Sequence, residues 1–202
     1  MTLAVSGVLF LVYPVLRPFS DETSLFGAAA FASTEWIGAH VLAMLGFILL
    51  TLGLFGLYIC LHETTVQRFA FRGLVLSWLG TGLTLPFYGA EAFGLHVIGQ
   101  EAVKQHSVTL VSLANDVRFG PGFVMILAGL VLLALGSIMA AIAVWKSRTM
   151  PKWSGIPFAL GFLLYLPQYV GTQQIRVAHG LLVAVGCVWM AMGMWMQSIK
   201  GK

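Results

Sequence analysis

Several apolar runs in this chain are long enough to cross a lipid bilayer. The clearest extends from Phe119 to Trp145 and contains no Asp, Glu, Lys, Arg or His. About 20 predominantly apolar residues are enough for one helical crossing. Hydrophobic residues make up 59% of the 202 positions and charged residues 9%, whereas soluble domains carry about 25% charged residues. The sequence therefore predicts an all-α integral membrane protein.

Apolar length divides the chain into six predicted spans that form one domain, a polytopic helix bundle. The spans are 2–16, 36–61, 73–98, 119–145, 153–170 and 175–196. No Lys or Arg precedes the first span, as a secretory signal peptide would require, so we expect this span to be retained.

Two segments between the spans have a helical character of their own. Residues 24–32 are small and apolar, and they predict an interfacial helix or an extension of the second span. The polar loop 100–118 carries apolar residues at a spacing that predicts one face of a short surface helix. The residues of that face are Leu110, Leu113, Ala114 and Val117.

The distribution of Lys and Arg favours a plasma-membrane orientation with both termini in the cytoplasm, because basic residues concentrate in short cytoplasmic loops. Seven basic residues then lie inside: Arg68, Arg72, Lys146, Arg148, Lys152, Lys200 and Lys202. Four lie outside: Arg17, Lys104, Arg118 and Arg176. This asymmetry accounts for the net charge of +4 without a nucleic-acid partner.

A faint internal repeat predicts a duplicated helical hairpin. Residues 79–88 match residues 160–169 at six of ten positions, with an offset of 81. Glycine, proline and tyrosine fall in register in both copies. The same offset places spans two and three over spans four and five, which would relate the two halves by an axis along the membrane normal.

Ionisable side chains within the spans fall at one depth, in the outer third of the predicted membrane. The stretch from Pro86 to His96 dominates this layer, and Pro86 is expected to kink its helix. The candidate site residues are His40, Tyr88, Glu91, His96, Arg176 and His179. Ionisable groups at membrane depth are costly, so they indicate a functional site.

Structural roles are open for the same residues. A histidine in a membrane helix can simply bond to a neighbouring helix, and Arg118 and Arg176 fit interface anchors. Glu91 requires more explanation, because an ionised carboxylate at that depth needs a cationic or metal partner. A neutral Glu91 would instead bond to Tyr88 or to a backbone carbonyl.

The first functional hypothesis is a b-type haem site used in redox chemistry or sensing. His40 and His179 lie at equal predicted depth and would be the axial ligands. Arg176 would meet the haem propionates, Tyr88 would line the site, and Glu91 would handle protons.

Three alternatives from other classes stay open. His40, His96, His179 and Glu91 offer the ligand types for a membrane-embedded zinc site that activates water for hydrolysis. A proton-coupled transporter would use Glu91 as its titrating group. A non-enzymatic accessory or sensor protein would bind a small ligand or a partner at the outer face. The bilayer is the one partner the composition implies, and a homo-oligomer stays possible.

Overall fold

The computed structural model describes residues 1–200, with Lys200 described by its backbone only, and over that range the chain is all-helical. The helices are α1 (Thr2–Leu16), α2 (Leu25–Phe31), α3 (Thr34–Cys60), α4 (Gln67–Gly89), α5 (Leu95–Lys104), α6 (Val108–Phe119), α7 (Pro121–Ser147), α8 (Gly155–Leu163) and α9 (Gln173–Lys200). Three of them, α3, α7 and α9, are long and apolar enough to cross a membrane. The expectation of a membrane protein is supported; six crossings stay a prediction.

Six helices form a closed ring. The ring consists of α1, α3, α4, α7, α8 and α9. Each helix packs against the next one in this order, and α9 packs against α1 to close the ring. Phenylalanine, leucine and alanine side chains from these helices form one continuous apolar core. The remaining helices, α2, α5 and α6, pack on one another around a second, smaller core. They form a cap over one end of the ring.

The two ends of the ring differ in charge. At the end opposite the cap, Gln197 near the end of α9 donates a 2.9 Å hydrogen bond to the carbonyl of Cys60 at the end of α3. Basic residues lie at this end, which we term the basic end: Arg68, Arg72, Lys146, Arg148 and Lys152. The predicted basic tail includes Lys200 and Lys202, whose side chains lie outside the described residues. The other end is termed the capped end.

Helices α4 and α7 approach each other through small residues. A Cβ atom at Gly80 would lie 2.6 Å from the backbone oxygen of Gly129. One at Gly73 would lie 3.0 Å from the backbone oxygen of Gly136. The two backbones are therefore in direct contact, as small residues permit in membrane helix pairs.

The third predicted span, 73–98, is part of a longer helical segment. Helix α4 continues through a π-helical turn, Ala90–Gly94, directly into α5. Pro86 lies within α4, and the π-helical turn begins one turn of helix later, at Ala90. A π-turn places one additional residue in the helix and is frequent at functional sites.

The fifth predicted span, 153–170, is not one helix. Helix α8 is short and lies between two 3₁₀ turns, Lys152–Ser154 and Pro167–Val170. The proposed repeat therefore has two conformations, because Pro86 lies inside a helix and Pro167 begins a 3₁₀ turn. The duplicated hairpin stays a prediction.

The short helices between the predicted spans follow the sequence closely. Residues 24–32 contain α2, a separate helix. The polar loop contains α6, whose buried face is formed by Val111 and Ala114, while Leu113 is 41% exposed. The expected face is therefore rotated by a fraction of a turn toward Val111.

Candidate functional site

A cavity of about 650 Å³ lies at the capped end of the ring. Sites for small molecules typically measure about 300–1,000 Å³. Its polar wall is formed by Tyr13, Arg17, Glu22, His40, Tyr88, Glu91, Arg118, Tyr169 and Arg176. Its apolar wall is formed by Phe87, Phe119, Phe123, Ile126, Leu127, Leu130, Leu166, Pro167 and Val170. The cavity thus suits a molecule with one polar and one apolar end.

The apolar wall reaches the surface of the bundle between α7 and the turn that follows α8. Helix α8 ends at Leu163, so the first half of α7 has no full-length neighbour on that side. Phe119 is 70% exposed and Val170 is 95% exposed, and both line the cavity. The cavity therefore has a lateral mouth with an apolar rim.

A chain of ion pairs crosses the polar wall. Arg118 binds both carboxylate oxygens of Glu91, from Nε at 2.6 Å and from Nη2 at 3.0 Å. The same guanidinium donates from Nη1 to Glu22 at 2.6 Å. Arg17 donates to the other oxygen of Glu22, also at 2.6 Å. Bidentate arginine–carboxylate pairs are among the strongest polar contacts in proteins.

The chain of ion pairs supplies the cationic partner that Glu91 requires, which is Arg118. Arg118, expected only as an anchor, lies on α6 and reaches over the cavity to Glu91. Glu22 lies in the loop between α1 and α2, and sequence reasoning did not select it. Burial opposes ionisation of Glu22, but the neighbouring Arg17 and Arg118 hold the pKa of its carboxyl below the usual value. The sequence signal that could have indicated Glu22 is its position near the predicted outer surface.

Trp36 holds the backbone of Glu91 in the π-turn. The indole Nε1 of Trp36 donates a 2.7 Å hydrogen bond to the backbone carbonyl of Glu91. Trp36 is fully buried between Phe31 and the guanidinium of Arg17, which lies 4.5 Å from its ring centroid. The irregular turn is therefore held from α3 by a side chain that contacts both Arg17 and the backbone of Glu91.

Replacement of Trp36 by phenylalanine is expected to destabilise the protein by about 1–3 kcal/mol, because a buried carbonyl loses its donor. The measurement is thermal unfolding of the purified protein in detergent. Trp78→Phe is the control, since Trp78 is 67% exposed. Equal melting temperatures for the two variants would show that the bond to Glu91 contributes nothing.

His40 presents an unused nitrogen to the same carboxylate. Its Nδ1 lies 2.7 Å from the backbone oxygen of Trp36, and a carbonyl can only accept, so Nδ1 carries the proton. In the neutral ring Nε2 is then an acceptor, and it lies 3.8 Å from Oε2 of Glu91. That distance is too long for a direct hydrogen bond. A donor in the cavity, either water or a ligand group, can reach both acceptors from the side.

The other two candidate histidines lie elsewhere. His179 on α9 lies with Nε2 2.7 Å from the backbone oxygen of Gly161, and His96 on α5 lies with Nδ1 3.0 Å from that of Phe31. Neither lines the large cavity. Within residues 1–200, no three His, Cys, Asp or Glu side chains are close enough to hold a metal ion. The structure therefore brings His40 to Glu91 but not to His179 or His96.

Tyr88 and Arg176 line the cavity. The Tyr88 hydroxyl lies 2.8 Å from those of both Tyr165 and Tyr169. Arg176 donates to the backbone oxygens of Tyr169 at 2.6 Å and Gly171 at 3.3 Å. These bonds hold its charge beside the cavity without neutralising it.

Comparisons with protein families, with curated proteins and with solved structures found no match for this chain. The site alone carries the functional argument.

Proposed function

We propose that the chain is a multi-pass protein of the plasma membrane that binds a small amphipathic molecule in the cavity at its capped end. Six membrane spans, with the capped end at the outer face and the basic end in the cytoplasm, fit both the ring of six helices and the position of the basic residues. The single observation that carries the proposal is the cavity itself, which joins a charged wall to an apolar wall in one volume of about 650 Å³.

The lateral mouth supports entry of the ligand from the bilayer. In the proposed orientation, the apolar rim around Phe119 and Val170 faces the outer leaflet. A membrane-dissolved molecule can then enter with its apolar part in contact with lipid throughout. Its polar head comes to rest against the charged wall of the cavity.

A ligand-binding role does not require Glu91 to gain or lose a proton, whereas the role expected from the sequence does. Both of its carboxylate oxygens bind Arg118, so Glu91 serves to position Arg118 and to shape the polar wall. The non-enzymatic accessory or sensor hypothesis is therefore the alternative that fits this geometry best.

A cavity-filling substitution tests the proposal. We expect Leu127→Trp to lower the affinity for radiolabelled hexadecanol at least tenfold in a saturation binding assay on the purified protein, because the indole would occupy the apolar half. Val131→Trp is the matched control: it lies one turn further along α7, is 50% exposed and does not line the cavity. Absence of saturable binding, or equal loss in both variants, would contradict the proposal.

Haem stays the alternative occupant of the same cavity. His40 provides one ligand, with an unused Nε2. A second axial ligand from His179 would require that ring to leave the Gly161 carbonyl and enter the cavity. An absorption spectrum of the protein expressed with added haem distinguishes the occupants. A Soret band that disappears in His40→Ala would assign the cavity to haem instead of a lipid-like ligand.

A further inference from the structure

We propose that the polar wall selects an anionic head group, so that the ligand is a single-chain amphiphile with a carboxylate or phosphate head. This inference rests on the proposed binding function and specifies the chemical class of its ligand. The head group would lie between Arg17 on one side of the cavity and Arg176 on the other.

The first observation is an excess of positive charge. Three arginines and two glutamates line the cavity. Arg17, Glu22, Arg118 and Glu91 form a chain of alternating charges that is neutral as a whole. Arg176 makes no ion pair within the described part of the chain, and its bonds go to backbone carbonyls. One uncompensated positive charge therefore remains beside the cavity.

The second observation is independent of net charge. Arg17 is only 7% exposed, and its Nε and Nη1 atoms are buried without an acceptor among residues 1–200. Its one hydrogen bond goes from Nη2 to Glu22. A buried charged donor without a partner is costly, so the site lacks an acceptor that an anion would supply.

A third observation places the two arginines around a common space. A small cavity of about 10 Å³ lies between them and is also lined by Tyr13, Gln168 and Gln173. About 10–15 Å³ is the room that one water-sized group needs. Tyr13, Arg17, Tyr169 and Arg176 line both this space and the large cavity. An oxygen of the head group can occupy the small space while the chain extends along the apolar wall.

The charge pattern also argues against a cationic head. A cation that paired with Glu91 or Glu22 would have to compete with Arg118, which already binds both carboxylates at 2.6–3.0 Å. An anion needs no such exchange, because no carboxylate among the described residues pairs with Arg176. Arg17 also keeps two N–H groups without an acceptor, which a rotation of its side chain would turn toward the cavity. The apolar wall then accounts for a single hydrocarbon chain.

The test compares head groups on hydrocarbon chains of one length, with the 202-residue protein in a nonionic detergent. Radiolabelled palmitate, hexadecyl phosphate and hexadecanol are measured by saturation binding. We expect wild-type protein to bind palmitate or hexadecyl phosphate at least tenfold more tightly than hexadecanol. Whichever anion binds more tightly identifies the head as carboxylate or phosphate.

Two variants locate the selectivity. Arg176→Met is expected to reduce the preference for the anion at least fivefold with little effect on hexadecanol, and Arg17→Met to do the same. Lys104→Met is the control, because it also removes a positive charge near the capped end, from a side chain that is 75% exposed. Size-exclusion chromatography establishes that each variant is folded. Arg176→Met decides the matter if Arg17→Met, which also breaks an ion pair, does not fold.

The outcomes separate this inference from the proposed function. Equal affinity of wild-type protein for hexadecanol and both anions would overturn the anion selectivity and leave the amphiphile-binding function intact. Equal loss of selectivity in Lys104→Met would assign the preference to general surface charge and overturn the inference. Absence of saturable binding for all three probes would overturn both.

Discussion

Glu91→Gln is expected to destabilise the protein by about 3 kcal/mol, because removing one partner of a buried ion pair leaves the other charge uncompensated. Glu91 and Arg118 are 10% and 18% exposed in their side chains. Arg118→Gln is expected to have a similar effect. The double variant should lose less stability than the sum of the two, since the first substitution already removes their shared interaction. Unfolding by heat or denaturant in detergent measures all three.

The exposed pair formed by Glu101 and Lys104 is the control for this cycle. Its side chains are 44% and 75% exposed, and such surface pairs contribute about 0–1 kcal/mol. Glu101→Gln should therefore leave the melting temperature nearly unchanged. Additive effects of Glu91→Gln and Arg118→Gln would show that the two groups do not interact in the folded protein.

Gly80→Ala is expected to lower stability by about 2 kcal/mol or more, because its Cβ would lie 2.6 Å from the backbone oxygen of Gly129 and overpacking of a tight contact costs about 1–3 kcal/mol. The same substitution at Gly82, two residues further along α4, meets no atom within 4 Å. Alanine is the better helix former by about 0.5–1 kcal/mol. Gly82→Ala is therefore expected to be neutral or stabilising.

Opposite signs for these two alanine substitutions would locate the contact between α4 and α7 at Gly80. Thermal unfolding in one detergent is sufficient, since both variants add the same methyl group to the same helix. If Gly80→Ala is as stable as Gly82→Ala, the two backbones do not approach as closely as the structure indicates.

Sequence reasoning predicted the depth of the site better than its contacts. His40, Tyr88, Glu91 and Arg176 all line the cavity, because apolar length fixes how far along a helix each residue lies. The rotation of each helix is a different quantity. It depends on packing between helices that are distant in sequence, and apolar residues on every face of a helix give no periodic signal for it.

The roles of His96, His179 and Arg118 show this difference. All three lie at the capped end of the bundle. The direction of each side chain follows from contacts in other elements: Phe31 for His96, Gly161 for His179, and Glu91 with Glu22 for Arg118. Such pairings join residues up to 96 positions apart, and no spacing rule anticipates them.

The helical fold was accessible from composition, and the irregular segments were not. Long apolar runs predicted α3, α7 and α9 well. The close packing of α4 on α7 through Gly80 and Gly129 was not anticipated, because glycine is frequent throughout the chain. The shortness of α8 leaves the lateral mouth beside α7. Pro167 indicates a break in the apolar run that continues to Val170, but it does not fix the end of the helix at Leu163.

The π-turn at Ala90–Gly94 divides one long helical segment into α4 and α5, and it rotates the faces of α5 relative to those of α4. One residue corresponds to about 100° of rotation in a regular α-helix. The added residue therefore lets Gly99 in α5 face α2, where a Cβ atom would lie 2.6 Å from the backbone oxygen of Ala28, while Glu91 faces the cavity. The cap and the ring therefore face different directions along a single continuous helix. Glu91 lies in the turn between the two parts and joins them through its ion pair with Arg118.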